Sequence, residues 1–253
     1  MTALSWWNLA LLFVAGVGGG LTGSIAGLAS VSTYPALLLV GLPPVTANVT
    51  NTVALVFNAV GSVWGSRPEL AGQRAALLRL VPMAAVGGVV GAVLLLSIPS
   101  EGFEDAVPVL LAVSSVLIAL PRRTRADGDE GGMVQTVLVC AAVFFISIYG
   151  GFFGAAAGVL LLALFLSTAS DTLAHANATK NVVLGVANGV AALIFVVFAH
   201  VHWTAVVAMG VGCLIGARLG PIIVRRAPAT PLRLGIAVAG LALAVKLGLD
   251  AYR

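Results

Sequence analysis

The sequence predicts an all-α polytopic membrane protein, built from two inverted-topology repeats with glycine-broken helices or re-entrant hairpins near the midplane. Composition supports the membrane part of this prediction. Of the 253 residues, 60% are hydrophobic and only 9% are charged, and the mean hydropathy is +1.11. Soluble domains carry about 25% charged residues, so most of this chain is expected to lie in lipid. A duplicated pattern and the loop charges support the two inverted repeats.

The duplication consists of two motifs that occur in the same order in each half. A glycine segment recurs 131 positions later, as Gly20-x-x-Gly23-x-x-x-Gly27 and Gly151-x-x-Gly154-x-x-x-Gly158. An Asn/Thr patch recurs 129 positions later, as Ala47-Asn48-Val49-Thr50-Asn51 and Ala176-Asn177-Ala178-Thr179-Lys180. Two motifs that recur at almost the same separation indicate internal duplication. We expect the functional site to lie where the two copies meet.

Each half is predicted to begin with two short apolar arms joined by its glycine segment. In the first half the arms are residues 6–20 and 28–42. Each is about 22 Å long as a helix, shorter than the roughly 30 Å core of a bilayer. Full helices are predicted at 46–66, 75–98 and 104–120, and the second half repeats the plan with arms at 134–150 and 158–169 and helices at 175–199, 203–224 and 231–250. The domains are therefore a first transmembrane repeat (1–120), a cytoplasmic linker (121–133) and a second transmembrane repeat (134–253).

Loop charges indicate how each half is oriented in the membrane. The loop at 67–74 and the linker carry arginines, whereas the charged residues of the loop at 99–105 are all acidic. In the second half the pattern reverses: the loop at 200–202 has no Arg or Lys, and residues 225–233 hold three arginines. Positive loops stay in the cytoplasm, so the halves are expected to be inverted relative to each other. This requires an odd number of crossings per half, which three full helices plus a re-entrant pair, or five crossings, would both satisfy.

The glycine segments are the first candidate for a binding site. A broken helix exposes backbone N–H groups and a positive helix N-terminus, which suit an anion. The alternative is close helix packing through small residues, as in Gly-x-x-x-Gly contacts. The candidate residues here are Gly23, Ser24, Gly27, Gly154 and Gly158.

The Asn/Thr patches are the second candidate, because each offers several neutral donors at the predicted start of a helix. They contribute Asn48, Thr50 and Asn51 from the first half and Asn177, Thr179 and Lys180 from the second. N-capping is the alternative role, although a cap needs only one such side chain. Lys180 is one of only two lysines, and a cation inside a membrane helix indicates function unless it snorkels to the interface.

Asp171 and His175, just upstream of Lys180, are candidates for proton coupling, or else are solvated residues at the membrane surface. No cofactor or metal site is predicted, since His200 and His202 have no further ligand nearby in the sequence. No catalytic motif is present, so an enzyme is not expected. The net charge of +4 comes without a dense basic run, so nucleic acid is not expected as a partner.

Two copies of Gly-x-x-Gly-x-x-x-Gly, each followed about 20 residues later by an Ala-Asn/Ala-x-Thr helix start, resemble the sulfite exporter (TauE/SafE) family. The resemblance covers about residues 9 to 248. It implies a multi-pass permease of the inner membrane that exports small sulfur-containing anions such as sulfite or organosulfonates. It also implies that the glycines and patch residues named above form the substrate region. The chain departs from the family in its second glycine segment, which is poorer in glycine, and in its second arm, which lacks a counterpart of Pro35.

These observations together predict a secondary transporter that works by alternating access and is driven by the membrane potential or a proton gradient. Its partners would be the small sulfur anion and the lipid bilayer, and a homodimer is also compatible with the sequence. A passive anion channel and a non-transporting membrane scaffold are the alternatives.

Overall fold

The computed structural model describes residues 4–99, 133–155, 157–168 and 172–224. Almost all of these residues are helical. The helices are α1 (Trp6–Ala26), α2 (Ala29–Leu39), α3 (Pro44–Gly65), α4 (Arg67–Leu70), α5 (Arg74–Ser97), α6 (Met133–Phe152), α7 (Ala157–Thr168), α8 (Leu173–Phe198) and α9 (Trp203–Val224). Five of them (α1, α5, α6, α8 and α9) are long and apolar enough to cross a membrane. The chain is therefore a multi-pass membrane protein. The helices predicted at 104–120 and 231–250, and linker residues 121–132, lie outside the described residues.

Each half begins with a helical hairpin. In the first, Gly19 lies beside Thr33 and Gly23 beside Ala29, so α2 folds back along α1. In the second, α7 folds back along α6, since the Gln135 side chain near the start of α6 donates to the Thr168 carbonyl at the end of α7. The short partners have 11 and 12 residues, about 17 Å, so neither spans a bilayer core.

The first arm is longer than predicted, because the glycine cluster does not break the helix at its beginning. Helix α1 continues for 21 residues, about 31 Å, and ends only at Gly27, which adopts φ 78°. Gly20 lies inside the helix, and its role is close packing. A Cβ at this position would lie 2.8 Å from the backbone nitrogen of Ala217, so only glycine lets α9 approach this closely. In this chain the glycine motif both allows close packing and supplies the break.

The second break falls at a different glycine of the motif. Gly154, the middle glycine of that copy, has φ 74°, and Gly158 already lies in the first turn of α7. The Tyr149 hydroxyl holds this turn by donating to the Ala155 carbonyl at 2.7 Å. The two breaks therefore share a mechanism, a left-handed glycine, without sharing a position in the motif.

Contacts between helices define their relative directions. Moving along α1 from Gly16 to Gly20 moves the contact along α9 from Met209 to Cys213, so these two helices run parallel. By the same reasoning α3 is parallel to α9, whereas α3 is antiparallel to α8, because Ser66 contacts Asn181 and Ala59 contacts Gly185.

Helices α5 and α6 also run parallel. Gly87 of α5 lies beside Phe144 and Ser147 of α6, and Gly91 lies one turn further along both helices, beside Gly151. Helix α8 shares their direction, since Gln73 before α5 contacts His175 of α8 and Gly88 contacts Ala187. Helices α1, α3 and α9 thus run one way, and α5, α6 and α8 run the other way.

The described arginines lie at one end of this bundle, which we call the arginine end. Arg67 and Arg218 lie over the Trp64 ring, with their guanidinium carbons 5.9 and 4.1 Å from its centroid. Arg74 and Arg79 are at the start of α5, which begins at the same end. Cation–π contact with an amphipathic tryptophan suits a residue that anchors its helix at a membrane interface.

Candidate functional site

The two helix breaks meet inside the bundle. A Cβ added to Gly27 would overlap the backbone of Gly158, and a Cβ added to Gly158 would overlap that of Gly27. The two backbones are thus in direct contact, and both residues are buried. Beside them, Tyr34 of α2 and Phe153 of the second break form an edge-to-face pair with centroids 5.4 Å apart. The two glycine segments of the duplicated pattern therefore lie against each other.

Lys180 lies next to this junction and is completely buried. Its ammonium donates to the carbonyl of Gly23 at 3.0 Å and to that of Ser24 at 3.2 Å. Both carbonyls belong to the last turn of α1, where the helix dipole favours a cation, and the Gly23 oxygen also accepts from the Gly27 backbone N–H at 2.7 Å. Lys180 also lies seven residues into α8, about 10 Å from its start. Snorkelling to the interface is therefore the wrong alternative for this residue.

An asparagine from each half caps the broken helix of the other half. Asn177 of α8 donates through its Nδ2 to the Ser24 carbonyl at 2.9 Å, and Asn48 of α3 donates to the Phe152 carbonyl at 2.8 Å. A carbonyl only accepts hydrogen bonds, so each amide must face it with nitrogen. The Oδ1 atoms of both asparagines consequently point away, and they are buried without a hydrogen-bond partner among the described residues.

The two threonines of the patches lie away from the junction and also bridge the halves. The Thr50 hydroxyl accepts from the backbone N–H of His202 at 3.1 Å. The Thr179 hydroxyl donates to the Gln73 side-chain oxygen and to the His175 carbonyl. Gln73 and His202 directly precede α5 and α9, so each threonine binds the residue before a helix of the opposite half.

The sequence analysis missed Gln73 and His202 as partners of the patches. A signal for them exists, because they are separated by the same 129 positions as Thr50 and Thr179. Their side chains differ, and only a comparison of the two halves position by position would have aligned them. The carbonyl of Phe152 carries no sequence signal at all, since it is a backbone group.

N-capping by the patches is wrong. Helix α3 begins at Pro44, where proline suits the first helical position, and α8 begins after Thr172, whose hydroxyl accepts from the His175 backbone N–H. The patches therefore begin in the second turn of each helix, and Asn48, Asn177 and Lys180 donate to backbone of the other half instead of capping their own helix.

The remaining candidates are held locally. The Asn51 amide donates to the Ser30 hydroxyl at 3.1 Å, and the Ser24 hydroxyl donates to the Leu21 carbonyl at 3.0 Å. Ser24 thus contributes its carbonyl oxygen to the junction, while its hydroxyl serves α1 itself. The His175 ring interacts with the Thr172 hydroxyl at 2.7 Å, and Asp171 lies outside the described residues.

The chain matches known proteins along nearly its whole length. Residues 10–247 match the family described as "Sulfite exporter TauE/SafE". A "Probable membrane transporter protein ORF9" of Sinorhizobium sp is 29% identical over 252 residues, covering 99% of this chain and 96% of that protein. "Probable membrane transporter protein YfcA" of Escherichia coli (strain K12) is 25% identical, with coverages of 96% and 91%. A "Probable membrane transporter protein" of Haemophilus influenzae is 26% identical, with coverages of 96% and 95%.

The family match includes both glycine segments, both patches and, apart from residues 6–9 of α1, all the helices on which the junction is built. It agrees with the resemblance found in the sequence motifs. On the extent of this match, the chain belongs to the sulfite exporter TauE/SafE family of membrane proteins.

Proposed function

We propose that this protein is a secondary transporter that exports a small sulfur-containing anion, sulfite or an organosulfonate, by alternating access. The observation that carries the proposal is the buried Lys180 at the junction of the two helix breaks. A buried cation in a membrane helix is costly and marks function by default. The family match and the relatives named as probable membrane transporters support transport over catalysis.

The transporter would consist of two inverted repeats, residues 1–120 and 134–253, with the arginine end in the cytoplasm. Opposite directions of equivalent helices support this arrangement: α1, α3 and α5 run against α6, α8 and α9, respectively. The positive-inside rule supports the orientation, because the described arginines lie at one end. Inverted repeats with broken helices that meet inside the membrane are the usual architecture of secondary transporters. A homodimer stays a prediction.

The anion would bind at the junction of the breaks. Its proposed contacts are the residues predicted from the sequence, namely Gly23, Ser24, Gly27, Asn48, Thr50, Asn51, Gly154, Gly158, Asn177, Thr179 and Lys180. Lys180 would supply the positive charge, and the starts of α2 and α7 would supply backbone N–H groups. The capping bonds of Asn48 and Asn177 would hold the broken ends of α1 and α6 in place.

Alternating access would open one end of the molecule at a time. The bond between Thr179 and Gln73 joins the halves towards the arginine end, and the bond between Thr50 and His202 joins them towards the other end. Each threonine lies about 9 Å from the start of its helix, so the two bonds lie at matching depths on opposite sides. Opening either end would require one of these bonds to break while the other persists.

The membrane potential would drive export. A cell interior that is negative by about 100 mV favours the exit of each negative charge by about 2.3 kcal/mol. A divalent anion could thus leave without a coupled ion. Coupling to protons through Asp171 or His175 stays a second proposed route.

The test is flux of radiolabelled sulfite into proteoliposomes that contain the purified protein, with a potential imposed in either direction. We expect saturable flux that reverses with the sign of the potential, and accelerated exchange when unlabelled sulfite is present on the far side. Protein-free vesicles are the control. The sulfur-anion proposal fails if neither sulfite nor a sulfonate moves under either polarity. Flux that does not saturate and shows no exchange would indicate a passive channel instead.

A further inference from the structure

A polar cleft of about 420 Å³ opens towards the arginine end of the bundle, between α5, α6, α7 and α8. Its volume lies within the range of about 300–1,000 Å³ that is usual for small-molecule sites. The lining is unusually polar for a surface of this apolar chain. Its polar residues are Gln73, Arg79, Gln135, Thr136, Thr168 and Thr179.

Arg79 is the cation of this cleft. It is exposed, one turn into α5, and it forms no ion pair or hydrogen bond with the residues that the structure describes. Glu69 is the only carboxylate within those residues. A guanidinium with its donors available is well suited to a small oxyanion, which it can bind through two parallel N–H groups.

Helix α8 connects the cleft to the buried lysine, because it carries Thr179 and Lys180 side by side in the chain. Thr179 and Gln73 both line the cleft, and the Thr179 hydroxyl donates to the Gln73 side-chain oxygen. The next residue in the chain is Lys180, whose ammonium lies on the carbonyls of Gly23 and Ser24. Consecutive residues of a helix point about 100° apart, so Thr179 faces the cleft while Lys180, on the same turn of α8, faces the junction of the breaks.

We propose that this cleft is an outer binding site for the oxyanion, at which Arg79 captures it from the cytoplasm before it reaches Lys180. The proposal rests on the proposed transport function and extends it, because it adds a second anion site on the arginine-end side. Among the described residues of the lining, the neutral donors left for the anion are the Thr136 hydroxyl and the second N–H of the Gln135 amide. The first N–H of Gln135 donates to the Thr168 carbonyl, and the Gln73, Thr168 and Thr179 donors serve other protein groups. The Thr179–Gln73 bond would open as the anion passes inwards.

The experiment compares Arg79→Gln with Arg74→Gln, a matched control that removes an exposed arginine of the same helix outside the cleft. Equilibrium binding of radiolabelled sulfite to detergent-solubilised protein and sulfite flux from the arginine-end side of proteoliposomes are both measured. We expect Arg79→Gln to raise the Kd and the KM about tenfold, as for the loss of one charge-assisted contact, with the maximal rate within about twofold. Arg79→Lys should restore part of the affinity, and Arg74→Gln should change neither constant.

The outcomes separate this proposal from the transport function. If wild type transports sulfite and the Kd and KM are the same in Arg79→Gln, the cleft is not an anion site and only the transport function stands. If wild type binds sulfite through Arg79 and moves no sulfur anion, the cleft stands and transport falls. If wild type neither binds nor moves sulfite, both proposals fail for this anion.

A lipid phosphate presents the same oxyanion chemistry as a free anion, so the lipid is varied as well. The flux measurements are repeated in vesicles of phosphatidylcholine alone and of phosphatidylcholine with phosphatidylglycerol. An Arg79→Gln effect of equal size in both supports a free anion. An effect that appears only with phosphatidylglycerol would assign the cleft to a lipid headgroup and overturn the proposal.

Discussion

Lys180 combines two roles that usually fall to different residues. Its ammonium holds two carbonyls at the broken end of α1, and it also places one positive charge where the halves meet. A carbonyl that loses its buried donor costs about 1–3 kcal/mol, so loss of function after truncation of this side chain would not by itself prove a role in binding. Substitutions that separate the hydrogen bond from the charge are therefore needed.

Lys180→Gln keeps a donor and removes the charge, whereas Lys180→Leu removes both. We expect Lys180→Leu to lower the thermal unfolding midpoint in detergent more than Lys180→Gln does, because leucine leaves the Gly23 carbonyl without a side-chain donor, whereas the Ser24 carbonyl keeps Asn177. Both substitutions should reduce sulfite flux at least tenfold, since both remove the charge. Sulfite flux at the wild-type rate in Lys180→Gln would show that the charge is dispensable.

At the scale of single residues, the sequence indicated which polar side chains lie between the two halves, but not which groups they bind. Lys180, Asn48 and Asn177 all lie at the interface between the halves, as the duplication indicated. Their partners are backbone carbonyls more than 100 residues away in the chain, and backbone groups leave no trace in a sequence. Burial of Lys180 was equally hidden, because a lysine seven residues into a helix is compatible with snorkelling until the neighbouring helices are known.

At the scale of helices, close packing through glycine determines which elements pair. Gly20 illustrates this, since a Cβ there would lie 2.8 and 2.9 Å from backbone atoms of Ala217 and Cys213. Backbone cannot move aside as a flexible side chain can. Gly18 lies two residues earlier in the same helix, and a Cβ there would meet nothing within 4 Å.

Gly20→Ala should therefore lower the free energy of unfolding by about 1–3 kcal/mol, the usual cost of overpacking. Gly18→Ala is the matched control and should be neutral or stabilising by up to about 1 kcal/mol, because alanine favours the helix. Thermal unfolding of the two variants in the same detergent measures the difference. Equal stability of both variants would contradict the close approach of α1 and α9.

The break positions show where prediction from sequence stops. Both glycine segments were predicted to interrupt a helix, and a left-handed glycine does so in each. The sequence could not indicate whether a given glycine serves packing or the break, because both uses require only the absence of a side chain. The first arm was consequently predicted six residues too short, ending at residue 20 instead of Ala26.

For the whole molecule, the direction of the helices carries the proposal of inverted repeats. Ala71 and His200 occupy equivalent loops, separated by the same 129 positions as the patches, and both are exposed. If the repeats are inverted, these two residues lie on opposite sides of the membrane. The positive-inside rule places Ala71 in the cytoplasm.

Single cysteines at these positions test the arrangement. In a background in which Cys140 and Cys213 are replaced by alanine, we expect His200→Cys to react with a membrane-impermeant maleimide in intact cells. Ala71→Cys should react only after the membrane is permeabilised. Labelling of both cysteines from the same side of the membrane would contradict the inverted repeats. Labelling of Ala71→Cys in intact cells, and of His200→Cys only after permeabilisation, would contradict only the proposed orientation. Sulfite flux by the cysteine-free background confirms that it is folded.

The pair of Asn51 and Lys180 has a consequence for the complete transport cycle. These residues occupy equivalent positions of the two patches, yet one is neutral and the other is charged. Two identical halves would have to present either two lysines or none. A single chain allows the halves to diverge, so within the described residues the junction of the breaks has one lysine, contributed by the second half alone. An anion that enters from one face thus meets a different sequence of partners from an anion that enters from the other, and the two directions of transport need not have the same apparent affinity.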